Sequence, residues 1–238
     1  MKKTICVDNG HGKDTPGKRT PKMPNGQVIH EWQFNYPTAK KLGRLLEHNG
    51  FKVIYASDTS IDTSLKSRVD KANNANADMF VSVHYNAFQG KFGNHGGIET
   101  FYYPSSNKGK KVATLVQNEL IKETGLRNRG AKAGNLYVLR KTKMTSILCE
   151  CGFMDNLNEA KLMLNESYQW KCARAITKGI CKYYGVTFKD LSKQPPKKTS
   201  SNNLYRVQVG AFSNKANAEK LQKELKSKGY STIIKGGK

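Results

Sequence analysis

Two patterns of apolar and polar positions take turns along the chain as far as residue 184. Short apolar runs typical of buried strands occur at residues 4–8, 51–56, 78–87, 98–103, 136–139 and 146–150. Between them, apolar residues recur with the helical period and predict helices at 31–49, 64–77, 109–124, 158–165 and 168–184. This alternation predicts an α/β fold, a mostly parallel twisted sheet with helices on both faces.

The composition changes after the last of these helices. Residues 186–203 have few apolar side chains and many prolines, serines and lysines, which is typical of a linker. Beyond it, residues 204–210 predict a strand, residues 217–228 an amphipathic helix, and a second strand begins at Tyr230. The sequence therefore predicts a domain at 1–185, a linker at 186–203 and a small α+β segment at 204–238.

Chemically reactive side chains follow the predicted strands. His11 comes after the first strand, His84 ends the run at 78–87, and Glu150 ends the run at 146–150. Glu31 opens the first helix, after a long loop rich in glycine, proline and lysine. Because strand carboxyl ends and helix N-termini meet at one edge of an α/β sheet, we expect these four side chains to share one crevice.

Two imidazoles and two carboxylates suit a catalytic zinc ion. Such sites commonly use three protein ligands, here His11, Glu31 and His84, and leave a position open for water. Glu150 would then act as general base and acid. Simpler explanations stay open: a hydrogen-bonded core histidine at 84, a turn residue at 11, and a helix-dipole charge at 31. Glu150 is more telling, since a carboxylate within an apolar run is costly to bury unpaired.

The chain is strongly basic. It has 41 Lys+Arg against 18 Asp+Glu, a formal net charge of +23, and the excess is spread over both parts. Such a charge favours polyanionic partners: nucleic acid, an anionic membrane or an acidic cell wall. A nucleic-acid partner is not expected, because no recognition motif is present and few aromatic residues lie among the lysines. Membrane insertion is not expected either, because no apolar run approaches the roughly 20 residues of a spanning helix.

The cysteines and the N-terminus indicate the cellular compartment of the protein. Five cysteines with no framework spacing predict reduced, mostly buried thiols. The basic start is followed by an apolar run that stops at Asp8, shorter than the apolar region of a secretory signal. We therefore expect a protein synthesised in the cytoplasm without a signal peptide.

Several motifs occur in an order that points to a known family. They are Glu31 at its helix start and residues 7–12 (VDNGHG), 82–87 (SVHYNA), 128–132 (NRGAK), 136–140 (LYVLR) and 147–156 (ILCECGFMDN). Over about residues 4–185 the chain resembles the zinc-dependent N-acetylmuramoyl-L-alanine amidases of the type 3 class. The resemblance implies hydrolysis of the amide between N-acetylmuramic acid and L-alanine in peptidoglycan. It implies zinc (Zn²⁺) on His11, Glu31 and His84, with Glu150 catalytic.

Two further residues are candidates for substrate binding. Arg129, in a glycine-flanked loop, can meet an anionic stem peptide, although surface arginines are more often solvated or ion-paired. Asn86, directly after His84, can contact substrate, orient a ligand or only shape the turn.

The chain departs from the family in two ways. Residues 144–146 (MTS) stand where a proline often precedes the last strand, and the secretory signal of many members is absent. The second departure suggests a phage or prophage endolysin, which reaches the wall once membrane pores form.

Near its end, the sequence (205–212, 216–219 and 225–230) resembles the first half of a SPOR domain, a module that binds peptidoglycan. Such a segment is either a half-repeat that associates with a copy from another chain or a shortened module.

Two other functions fit the same observations. One is a zinc carboxypeptidase that acts on cell-wall peptides, and the other is a non-enzymatic basic protein that binds the wall. The newly formed termini of a wall digest would distinguish an amidase from a carboxypeptidase.

Overall fold

The computed structural model describes residues 2–191, 209–230 and 232–234, and its contacts divide the chain into two compact units, Met1–Gln194 and Pro195–Lys238. The strands of the first unit are β1 (Thr4–Asn9), β2 (Lys52–Tyr55), β3 (Met79–Asn86), β4 (Ile98–Tyr102), β5 (Asn128–Ala133) and β6 (Thr145–Phe153). Its helices are α1 (Trp32–His48), α2 (Leu65–Asn74), α3 (Asn107–Thr124), α4 (Tyr137–Lys141), α5 (Leu157–Ala160) and α6 (Glu166–Tyr184). The described part of the second unit contains α7 (Lys215–Ser227).

The six strands form one sheet in the order β2-β1-β3-β6-β4-β5. The first four strands of this order run parallel, whereas β4 is antiparallel to β6, and β5 is parallel to β4. The predicted α/β fold with a mostly parallel sheet is therefore confirmed. Because β4 and β5 run the other way, their first residues lie at the edge where β3 and β6 end.

Helices cover both faces of the sheet, as predicted. Along β3, Met79, Val81 and Val83 face the larger core, which α1, α3 and α6 cover. Phe80 faces the opposite way, into a smaller core that α2 and α4 cover. This strict alternation is the two-residue period of a strand buried on both faces.

Two predicted elements of the first unit were wrong. Residues 136–139 form the start of α4 instead of a strand, because a short apolar run does not distinguish a strand from a helical turn. Residues 128–133, interpreted as a loop around Arg129, form β5. This edge strand consists of small, polar and basic residues that are half-buried or exposed, so it carries no apolar pattern.

The ends of two other predicted elements shift. The helix predicted at 158–165 is limited to α5, and turns lead from it to Asn165, whose side chain caps α6. In the second unit α7 is present where a helix was predicted. No strand forms at Tyr230 or at 232–234, and most of the strand predicted at 204–210 lies outside the described residues.

The beginning of the predicted linker belongs to the first unit. Val186, Phe188 and Leu191 pack against the larger core, and Asn49 exchanges two hydrogen bonds with the backbone of Lys189. The division into a domain at 1–185, a linker at 186–203 and a segment at 204–238 stays a prediction.

Two remaining expectations concern thiols and membranes. All five cysteines are free and buried, as predicted. Among the described residues, every helix is too short or too polar to span a bilayer.

Candidate metal centre

Glu31 lies between two histidines at the carboxyl edge of the sheet. It occupies the N-cap position of α1 and is almost completely buried. Its Oε1 atom is 3.1 Å from Nδ1 of His84, and its Oε2 atom is 3.3 Å from Nε2 of His11. The two imidazole rings are 5.0 Å apart and nearly perpendicular. Three residues far apart in sequence therefore meet at one point, as the strand topology predicted.

The orientation of Glu31 is fixed by neutral donors. Oε1 accepts hydrogen bonds from the backbone N–H of Tyr85, at 3.0 Å, and from Nδ2 of Asn35, at 2.9 Å. The same Asn35 amide donates to the carbonyl of Gly10 at 2.9 Å. Asn35 thus connects the helix that carries Glu31 to the turn that carries His11, a role that sequence reasoning missed.

The turn after β1 brings His11 close to His84. His11 has a left-handed backbone conformation with φ of 62°, which is uncommon outside glycine. A Cβ atom on the preceding Gly10 would overlap the His84 ring. Glycine is therefore required at position 10 because the two metal-ligating candidates approach each other across its backbone.

The three side chains fit a divalent metal ion. One potential ligand atom from each of His11, Glu31 and His84 lies within 4.8 Å of the other two. Two imidazoles and one carboxylate are a donor set that zinc uses in catalytic sites. The chemistry and spacing of these atoms are consistent with the predicted zinc ligands.

The charge states of His11 and Glu31 suit metal binding, whereas at His84 burial is outweighed by the hydrogen bond with Glu31, which raises the pKa, so a metal ion there competes with a proton. Burial lowers the pKa of His11 to about 4, which keeps its imidazole neutral, and a neutral imidazole is the form that binds a metal. Burial raises the pKa of Glu31, but the hydrogen bond with His84 and the charges of both histidines outweigh it, so the pKa is lowered. Glu31 is therefore held as a carboxylate.

Glu150 lies beside this group, on β6, in register with His84 on β3. Burial raises the pKa of Glu150 to about 8. Its Oε2 atom is buried and has no hydrogen-bond partner among the described residues. An unpaired buried carboxylate oxygen is costly, so this atom is placed to interact with a cation, a water or a substrate.

A buried ion pair supports the turn from below. The Arg68 guanidinium donates to the carboxylate of Asp8, at 2.6 Å, and to the carbonyl of Asn9, while Ser82 donates to the other Asp8 oxygen at 2.6 Å. Arg68 and Asp8 are both almost completely buried. Sequence reasoning missed this pair.

The two candidate substrate-binding residues converge on a third carboxylate. Asn86 Nδ2 donates to Glu99 Oε1 at 2.7 Å, and Arg129 Nε donates to Glu99 Oε2 at 2.8 Å. Glu99 is buried and stands opposite Glu150 in the β4–β6 ladder. It was also missed, although it lies within an apolar run just as Glu150 does.

Comparisons with known proteins identify the family. The family model described as N-acetylmuramoyl-L-alanine amidase matches residues 5–182, and that of the SPOR domain matches residues 201–238. The sporulation-specific N-acetylmuramoyl-L-alanine amidase of Bacillus subtilis (strain 168) is 31% identical over 97% of this chain and 83% of its own length. The endolysin of Bacillus phage SPP1 is 34% identical over 88% of this chain and 77% of its own length.

Solved structures show the same relationship. The N-acetylmuramoyl-L-alanine amidase of Clostridium difficile 630 has a TM-score of 0.70 and 33% identity, covering 77% of this chain and 97% of that one. The CwlV catalytic domain of Bacillus (Paenibacillus) polymyxa has a TM-score of 0.70 and 30% identity, covering 78% of this chain and 99% of that one. The chain therefore belongs to the family of N-acetylmuramoyl-L-alanine amidases, which hydrolyse an amide bond of peptidoglycan.

Proposed function

We propose that this amidase is zinc-dependent, that His11, Glu31 and His84 hold the zinc ion, and that Glu150 is the general base and acid. The substrate bond is the amide between N-acetylmuramic acid and L-alanine. The observation that supports the proposal most directly is the convergence of three ligand atoms within 4.8 Å of one another. The unpartnered Oε2 of Glu150, on the neighbouring strand, supports its role as the group that handles protons.

Each residue of the site has a separate role in the hydrolysis. When bound, zinc supplies a Lewis acid that polarises the scissile carbonyl and activates water. Asn35 and the Tyr85 amide hold Glu31 in one orientation, which defines where its carboxylate can ligate. Glu150 accepts a proton from the attacking water and returns it to the departing amine of L-alanine.

Digestion of purified cell walls tests this proposal. The wild-type chain should release new L-alanine N-termini and leave the glycan strands intact. The Glu150→Gln variant should keep its zinc and lose nearly all activity, while Glu47→Gln, at an exposed position of α1, should behave as wild type. A fully active Glu150→Gln variant would refute the role of Glu150. New C-termini without L-alanine N-termini would instead indicate a carboxypeptidase.

We propose that the biological role is that of an endolysin, synthesised in the cytoplasm and active on the wall after release. The similarity to the phage SPP1 endolysin over 88% of the chain supports this role. Expression in a host with and without a pore-forming holin tests it. Rapid lysis should require the holin, and lysis without it would contradict the proposed route.

We further propose that residues 204–238 bind peptidoglycan and associate with a copy from another chain. The match of the SPOR domain model to residues 201–238 supports wall binding. Retention of the Glu150→Gln chain on purified walls should fall when the chain ends at Gln194. Sedimentation of the full chain as a monomer at all concentrations would contradict self-association.

A further inference from the structure

A β-bulge directs Arg129 towards the site. Ile98 pairs with Asn128 and the next residue, Glu99, pairs with Gly130, so Arg129 is an extra residue in β5. Gly130 has a φ of 90°, a conformation that lets the strand turn around the insertion. Bulges of this kind change the direction of a side chain, and here the guanidinium reaches the buried carboxylate of Glu99 at 2.8 Å.

Arg129 and a second cation share this carboxylate. Glu99 Oε2 also accepts a hydrogen bond from Lys132 Nζ at 2.6 Å, and Asn86 occupies Oε1. Burial raises the pKa of Glu99, but the bonds from Lys132 and Arg129 outweigh it and the pKa is lowered. Two cations around one ionised carboxylate leave a local excess of one positive charge.

Both cations keep free donors near the surface. The Arg129 guanidinium packs over the Phe153 ring at 4.8 Å, and its Nη1 approaches the Gly96 carbonyl at 3.4 Å. Nη2 makes no hydrogen bond to a described residue, and Lys132 uses one of its three N–H groups. The Arg129 side chain is 25% exposed and that of Lys132 40% exposed. Glu99 therefore holds two cationic groups in place while some of their N–H donors stay free. Such a preorganised pair can bind a second carboxylate.

The position of this pair relative to Glu150 indicates which part of the substrate it meets. Glu99 is the direct neighbour of Glu150 across the β4–β6 ladder, where paired Cα atoms lie about 5 Å apart. A peptide that extends from the scissile amide advances by about 3.5 Å per residue. A stem peptide that runs from the scissile amide past the β4–β6 ladder would bring the residue after L-alanine within reach of Arg129 and Lys132.

We propose that Arg129 and Lys132, held by Glu99, bind the free carboxylate of the stem-peptide residue that follows L-alanine. This inference rests on the proposed amidase function and defines its substrate class. The enzyme should prefer stem peptides whose second residue has a free carboxylate over those in which that carboxylate is an amide. Asn86 is then a positioning residue for Glu99 and does not itself contact the substrate.

Binding to the inert Glu150→Gln chain, loaded with zinc, tests the proposal without relying on turnover. The probes are N-acetylmuramoyl-L-alanyl-γ-D-glutamyl-L-lysine, in which the α-carboxylate of the second residue is free, and its counterpart in which that carboxylate is an amide, measured by calorimetry. The carboxylate should bind about tenfold more tightly than the amide, since a hydrogen bond to a charged group has that magnitude. Adding Lys132→Gln or Arg129→Gln should remove most of the preference, and Lys132→Arg should keep it.

Lys108→Gln provides the matched control. It removes the same charge from an exposed position of α3, at the end of the first unit opposite the site, and should leave the preference unchanged. Equal binding of the two probes, or an unchanged preference in both charge-removing variants, would overturn the proposal. Wall digestion separates this failure from that of the parent proposal: a chain that releases L-alanine N-termini without the preference refutes only the carboxylate site.

Discussion

Arg68 and Asp8 form an ion pair, with an N–O distance of 2.6 Å, directly beneath the turn that carries His11. The same guanidinium donates to the carbonyl of Asn9, two residues before His11. Because both side chains are 2% exposed, solvent does not screen the pair. The position of one candidate zinc ligand is thus coupled to a buried charge on a helix of the opposite sheet face.

Replacing Arg68 should weaken both the fold and the metal site. Arg68→Met leaves Asp8 buried without its cation, which should lower the free energy of unfolding by about 3–5 kcal/mol. It also frees the Asn9 carbonyl, so zinc affinity should fall by about tenfold or more in the protein that stays folded. Urea unfolding and competition with a zinc chelator measure the two effects.

Lys66→Met is the control for this substitution. Lys66 lies on the same helix, is exposed and pairs with Asp70, so both measurements should stay within the error of wild type. Unchanged zinc affinity in folded Arg68→Met would show that the ion pair supports the fold alone.

Asn35 should affect zinc binding more than stability. Asn35→Leu removes the amide that orients Glu31 and holds the Gly10 carbonyl, while it keeps a side chain of similar size. Loss of such an outer hydrogen bond typically costs about 10–100-fold in metal affinity. The chelator competition measures it, with Tyr36→Phe, on the next, partly exposed position of α1, as control. Wild-type zinc affinity in the Asn35→Leu variant would remove Asn35 from the site.

Gly10→Ala tests the close approach of the two histidines. The new methyl group would overlap the His84 ring, so the ring must move and zinc binding should be lost. Gly17→Ala is the control: Gly17 has a positive φ, 74°, which strains an alanine, but a Cβ there meets no atom within 4 Å. That variant should lose only about 1 kcal/mol of stability and keep its zinc. Zinc retention by Gly10→Ala would contradict the close approach of the His84 ring to Gly10.

The ion pairs of Glu99 with Arg129 and Lys132 should make the stability of the protein sensitive to acid. The folded-state pKa of Glu99 lies below its ordinary value of 4.5, so its pairing stabilises the fold above that pH and is lost as pH falls through the folded pKa. As the pH falls from the ordinary value of 4.5 through the folded pKa, the wild type should lose free energy of unfolding more steeply than Glu99→Gln. Urea titrations of chelator-treated protein measure the two slopes, with Glu47→Gln as control. Parallel pH profiles of the wild type and Glu99→Gln would contradict the assigned pairing.

The sequence was sufficient to predict the edge on which the site lies, but not the residues that support it. His11, His84 and Glu150 each follow an apolar run, and strand topology alone brings such positions together. Asn35 and Arg68 carry no such signal, because their roles depend on which helix face the fold selects. Glu99 lies at the start of its apolar run and reaches this edge only because β4 is antiparallel to β6. Arg68 in particular is one of the largest buried side chains, which its charge alone does not indicate.

The misassigned elements have a related cause. The apolar run at 136–139 is compatible with both a strand and a helical turn. Only its packing against the smaller core selects the helix. The strand β5 is defined by its ladder with β4 and not by its own composition. Its bulge at Arg129, which follows from that pairing, had no counterpart in the sequence pattern.

The zinc content of purified protein tests the central claim most directly. We predict a single bound zinc ion per chain in the wild type and in His48→Ala, a change at the last residue of α1. The ion should be absent from His11→Ala and from His84→Ala, in folded protein of unchanged secondary structure. Full zinc occupancy in both variants would contradict the account, since the ion would then lie elsewhere.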